Sequence, residues 1–123
     1  MGENKEYLSY PDEKGSINIS DEVVAAIAAN AALEVEGVAG MPASFGKDIA
    51  ELLGLRSLTR GVKLQADEDG ITFDVCITVA YGASVSDVAK AVQTSVTSAV
   101  ESATGFTVKT VNIHVCGIAL ENK

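Results

Sequence analysis

Apolar and polar positions along this chain switch between two periods, and the switches divide it into elements. Ile17 and Ile19 alternate with polar neighbours, which predicts a short strand. Val24, Ile27, Ala28, Ala31 and Val35 then recur at helical spacing and form one stripe. Ser20 stands where a side-chain oxygen can cap the first turn, and Asp21 and Glu22 put negative charge at the positive end of the helix dipole. Glu34, Glu36 and Gly37 end the run, with Gly37 suited to a helix stop. The stripe is rich in alanine, so this helix can lie close to whatever it packs against.

Val38 to Met41 is a short apolar piece between glycines, closed by Pro42. Residues 42–60 read as a long, partly helical excursion, in which Ile49, Leu52 and Leu53 suit one or two amphipathic turns. Connections of this length commonly carry function. Alternation returns at Val62, Leu64 and Ala66. The turn Asp67-Glu68-Asp69-Gly70 follows, and Asp-Gly is a strong hairpin signal. On the return strand Ile71, Phe73, Val75, Ile77 and Val79 share one face, while Thr72, Asp74, Cys76 and Thr78 share the other. One buried face and one polar face is the pattern of an antiparallel sheet covered on one side.

Ser84, with Asp87 three residues on, marks the start of a second helix in a capping-box arrangement. Val85, Val88, Ala89, Val92, Val96, Ala99, Val100 and Ala103 follow at steps of three and four, the strongest periodic signal in the chain. Its other face is rich in Ser and Thr, mediocre helix formers, so tertiary packing has to hold it. Gly105 stops it. A last strand runs from about Phe106 to Ile118, with Val111, Ile113 and Val115 on one face and Asn112, His114 and Cys116 on the other. Two helix stripes and one apolar sheet face must be buried together. The predicted fold is therefore α+β, a two-layer sandwich with two main helices packed on one face of a mixed, largely antiparallel sheet.

Composition narrows the function. A chain of 123 residues fits one domain, placed at residues 15–120, and residues 1–14 are polar, without period, and read as a flexible tail. The polar, acidic start is no signal peptide, and no apolar run approaches the ~20 residues of a membrane span. Two cysteines 40 residues apart make no secreted disulfide framework, so the expected compartment is the cytoplasm. A net charge of −8 and the absence of Trp argue against nucleic-acid binding.

Cys76, His114 and Cys116 are the candidates for chemistry. By strand parity they share the polar sheet face with Asp74, and thiolate, imidazole and carboxylate suit zinc. A small metal- or ligand-binding regulator is the alternative function this set raises. The plain reading treats Cys76 as a small, half-buried apolar residue and His114 as a polar surface group. The set lacks the close ligand pairs of a zinc finger, and no cofactor or metal is assigned. There is one His and no Gly-x-Ser-x-Gly elbow, so the chain is read as no enzyme. The acidic turn lacks the spaced ligands of a calcium loop. Lys47, Arg56 and Arg60 form a local basic group on an acidic chain and are candidates for binding an acidic partner.

An ordered set of segments resembles a known family. It comprises Gly15-Ser16-Ile17-Asn18-Ile19-Ser20, Val35-Glu36-Gly37-Val38-Ala39-Gly40-Met41, Arg60-Gly61-Val62-Lys63, the strand from Phe73 to Val79 with Ala80-Tyr81-Gly82, the helix with Val88, Val92-Gln93, Val96 and Val100-Glu101, Thr104-Gly105-Phe106, and Val111-Asn112-Ile113-His114-Val115. Together these resemble the alkaline shock protein family, the envelope stress response proteins of Gram-positive bacteria, over about residues 15–118. The resemblance implies a small cytosolic protein without catalytic residues, acting by protein–protein contacts as a stress-response scaffold or adaptor. It further implies self-association, a membrane-anchored partner, and a peripheral place at the inner face of the cell membrane with no direct insertion.

Overall fold

A computed structural model describes residues 7–40 and 61–120. The first described element departs from the sequence reading. Strand β1, Tyr7–Asp12, pairs antiparallel with β2, Gly15–Ser20, from Tyr7 opposite Ser20 to Asp12 opposite Gly15. Residues 7–12 are thus not part of a loose tail. Leu8 packs against the core, and the Tyr10 ring meets Phe106 edge-on, with centroids 5.3 Å apart at 80°. Pro11, with no N–H to donate, interrupts the alternation that would have marked this strand in the sequence.

Helix α1, Asp21–Leu33, starts as its sequence requires, with the Ser20 side chain accepting from the Val23 N–H at 3.3 Å. Val24, Ala25, Ala28, Ala29, Ala31 and Ala32 are buried, a wider face than the predicted stripe, and Ile27 is only partly buried. The helix ends at Leu33. Gly37 lies beyond it, in the turn into β3 (Val38–Gly40), at φ +100°. A Cβ at Gly37 would stand 2.5 Å from Val88 Cγ2, so this position needs glycine both for its backbone and for its space.

Helix α2, Val85–Thr104, is capped by the Ser84 hydroxyl, which accepts from the Asp87 N–H at 3.4 Å, and closed by Gly105 in the left-handed conformation. Its buried residues, Val88, Val92, Val96, Val100 and Thr104, fall in one line at steps of four. Because α1 presents mostly alanine, the two helices come close enough for the Ser95 hydroxyl on α2 to donate to the Ala31 carbonyl at 2.9 Å.

Strand β5, Gly70–Ala80, is the middle of the main sheet. Strand β6, Val108–Ala119, runs parallel along one side of it. The other side is shared by two antiparallel strands in turn: β4, Val62–Asp67, alongside Gly70 to Val75, and β3, alongside Thr78 and Val79. The chain leaves at Gly40, aligned with Thr78, and comes back at Gly61, whose carbonyl accepts from the Cys76 N–H at 2.9 Å. Ile71, Phe73, Val75, Ile77 and Val79 are all buried in one cluster with Val62, Val111 and both helix faces. The structure is the α+β sandwich with a mixed sheet that the pattern implied. The hairpin turn is also as read: Asp67 Oδ1 accepts from the N–H groups of Asp69 at 2.8 Å and Gly70 at 3.2 Å.

Candidate functional site

The polar sheet face brings the predicted chemistry-bearing residues onto adjacent strands. Cys76 is aligned with His114, and Asp74 with Asn112. His114 Nε2 lies 3.0 Å from Asp74 Oδ1, and the same oxygen accepts from Asn112 Nδ2 at 3.3 Å. Cys116 falls where the ladder slips by one residue, between Val115 opposite Ile77 and Gly117 opposite Thr78, and its Sγ donates to the His114 carbonyl at 3.5 Å. Cys76 is 0% exposed, more enclosed than a half-buried residue on an open face. A short side chain on the middle strand is shaded by neighbours on both sides. Burial pushes its thiol up to about 12, with Cys116 and then Asp74 adding in the same direction. A thiol so raised and enclosed is protonated at neutral pH and is a poor nucleophile. Among the described residues, no group of three or more His, Cys, Asp or Glu side chains stands close enough to hold a metal ion. The face as folded is a hydrogen-bonded network centred on Asp74.

A second feature lies at the far end of the sheet, where a cleft of about 500 Å³ separates the β1–β2 hairpin from the Asp67–Gly70 turn. Tyr10, Ile71 and Phe106 are among its lining residues, together with Asp67, Glu68 and Asp69. Lys109 Nζ closes on Asp67 Oδ2 at 2.6 Å, so the first of these acids is already paired. Lys47, Arg56 and Arg60 lie outside the described residues.

The sequence reading missed the free side of β6. Two α2 side chains reach its first half: Gln93 Nε2 donates to the Val111 carbonyl at 2.9 Å, and Glu101 Oε2 accepts from the Val108 N–H at 2.8 Å. Beyond Val111, no described α2 side chain does the same. Large apolar side chains are exposed there instead: Val115 at 39%, Ile118 at 52% and Leu120 at 70%. Tyr81, whose N–H donates to the Ala119 carbonyl, is exposed at 70% beside them. Strand order decides which strand lies at an edge, and strand order is not written in periodicity. The signal that was available is charge: Val108 to Leu120 holds no Asp or Glu in a chain with seventeen.

The fold and its surfaces define a small α+β domain with a buried, inert thiol, a polar network and an apolar edge. None of these is an assembled catalytic group. The chain belongs to the alkaline shock protein 23 family, described by its cell envelope-related function, whose family model matches residues 9–120. It is 37% identical over 109 residues to the uncharacterized protein YqhY of Bacillus subtilis (strain 168), covering 89% of this chain and 81% of that one. It is 36% identical over 110 residues to YloU of the same organism, also uncharacterized, covering 88% and 92%. A solved structure, MamM CTD in its copper form, superimposes with a TM-score of 0.50 at 16% identity, covering 84% of this chain and 91% of that one, a likeness of fold alone.

Proposed function

We propose that this chain is a non-enzymatic, cytosolic scaffold or adaptor of the cell envelope's stress response, working through contacts with other proteins and with copies of itself. The observation that carries the reading is the exposed apolar rim of Val115, Ile118, Leu120 and Tyr81 on a domain of net charge −8. Membership of a family with a cell envelope-related function points the contacts toward the envelope. No helix among the described residues is long and apolar enough to cross a membrane. Attachment through an anchored partner is the route proposed. Lys47, Arg56 and Arg60 are the proposed contacts for an acidic surface on that partner. Cell fractionation with cross-linking tests this. The chain should sediment with membranes, come off in a high-salt wash without detergent, and cross-link to a membrane-anchored protein. The double variant Arg56→Glu/Arg60→Glu should lower the membrane-bound share. A chain that stays wholly in the supernatant before and after envelope stress, and cross-links to nothing in membranes, sinks the proposal.

A further inference from the structure

The hydrogen bonds around β5 fix which backbone groups of β6 are spare. Cys76 and Ala80 donate to the carbonyls of Gly61 and Gly37, toward β4 and β3, whereas Ile71 donates to Thr107, toward β6. Backbone groups alternate sides along a strand, so Phe73, Val75 and Ile77 also turn theirs toward β6. In a parallel ladder each such residue bonds to the two residues flanking its aligned partner. Their partners are Val111, Ile113 and Val115, so Thr110, Asn112 and His114 face β5. The N–H and C=O groups of Val111, Ile113 and Val115 therefore point away from the sheet. The Gln93 side chain on the Val111 carbonyl fits this assignment. Ile113 and Val115 have no such cap among the described residues, and an uncapped edge is a template for another strand.

We infer that the outer edge of β6 from Ile113 to Ile118 binds the same edge of a second copy of this chain, antiparallel across a two-fold axis, joining two sheets into one. This rests on the self-association in the function proposed above. Charge selects the occupant. Two bodies of net charge −8 repel each other wherever their acids meet, but the strip from Val108 to Leu120 has none. Its one lysine, Lys109, is held by Asp67. A two-fold pairing is self-complementary: each copy offers the N–H and C=O groups that the other lacks, and the exposed Val115 and Ile118 side chains are covered together. An edge of this length is far smaller than the ~20–30 residues a side of a standard interface, so the dimer forms and parts with concentration.

Sedimentation velocity over a concentration series, with amide hydrogen exchange on the same samples, tests the inference. The wild-type chain should show a monomer–dimer equilibrium, and the Ile113 and Val115 amides should gain protection as concentration rises. Val115→Lys should weaken the dimer by roughly tenfold or more, since it blocks an edge whose hydrogen bonds are each made twice by symmetry. Val115→Pro should do the same while keeping the β5 ladder, because the lost N–H points outward. Glu68→Gln changes the net charge by the same single unit as Val115→Lys, at a site away from the Ile113–Ile118 edge, and should not weaken the dimer. A wild-type dimer that Val115→Lys and Val115→Pro leave intact overturns the inference. So do Ile113 and Val115 amides that exchange at a rate independent of concentration. Membrane sedimentation of the same variants is read separately: binding that persists in a strictly monomeric chain leaves the scaffold reading standing while the pairing fails.

Discussion

His114 Nε2 lies 3.0 Å from Asp74 Oδ1 although the two residues are not opposite each other; Asp74 is aligned with Asn112, and His114 with Cys76. The contact is a diagonal between parallel strands, and it draws Asn112, Asp74 and His114 into one network around a single carboxylate oxygen. All three side chains retain some exposure, so the network is worth little more than ordinary hydrogen bonds at a surface. Asp74→Ala should lower stability by about 1 kcal/mol, read from the denaturant midpoint. A loss several times larger would mean that Asp74 holds up more than Asn112 and His114.

The two thiols should differ sharply in reactivity. Cys76 is fully buried with its thiol raised to about 12, while Cys116 is partly exposed. Under native conditions at pH 8 a thiol reagent should label one cysteine per chain, at Cys116, and the second only after unfolding. Peptide mapping of the labelled product checks this, and prompt labelling at Cys76 would contradict it.

Asp67 and Lys109 predict opposite pH limbs. The Lys109 ammonium, and then the Asp69 N–H, hold the Asp67 carboxyl below its ordinary 3.8. Its contribution is complete above that value and is lost as the pH falls through the lowered one. Asp67 in turn holds Lys109 above 10.5, a contribution present below that pH and lost as the pH rises through the raised value. Both groups are at the surface, so the effect is small and shrinks in salt. Lys109→Met should flatten the acid limb of stability at low ionic strength, and thermal melts from pH 2 to 6 should show the difference.

Gly37→Ala is expected to destabilise by about 2 kcal/mol, combining the left-handed backbone with intrusion on Val88. Adding Val88→Ala should relieve the crowding but leave the backbone strain, so the double variant should lose less than the sum of the two single changes. Strict additivity in urea unfolding would show that the two positions do not meet.

Most of the fold was legible because most of it follows one periodicity at a time. Ser20, Ser84 and Gly105 marked helix ends, the row from Ile71 to Val79 marked the middle strand, and Asp67 to Gly70 marked its turn. Strand β1 was not legible. Leu8 and Tyr10 are its side chains that reach past β2, and Pro11 hides their alternation. Gly37 was read as the stop of α1, but its φ serves the next turn, because Glu34 already caps the helix in ordinary helical geometry. The alignment of Asp74 with Asn112 and of Cys76 with His114 agrees with parity. Their hydrogen bonds were not legible, since the diagonal from Asp74 to His114 depends on the parallel register of β5 and β6. Register between strands separated by a whole helix leaves no local mark.

The shared flank of β5 has a consequence for how this domain can change. The chain departs at Gly40 beside Thr78 and re-enters at Gly61 beside Cys76, two residues apart on the same strand. The two ends of the insert formed by residues 41–60 are therefore held side by side by one strand. Closing such an insert costs only about 0.6 kcal/mol more for each doubling of its length. The length of this insert can therefore change without moving the two points of β5 that hold its ends, and the core need not be rebuilt.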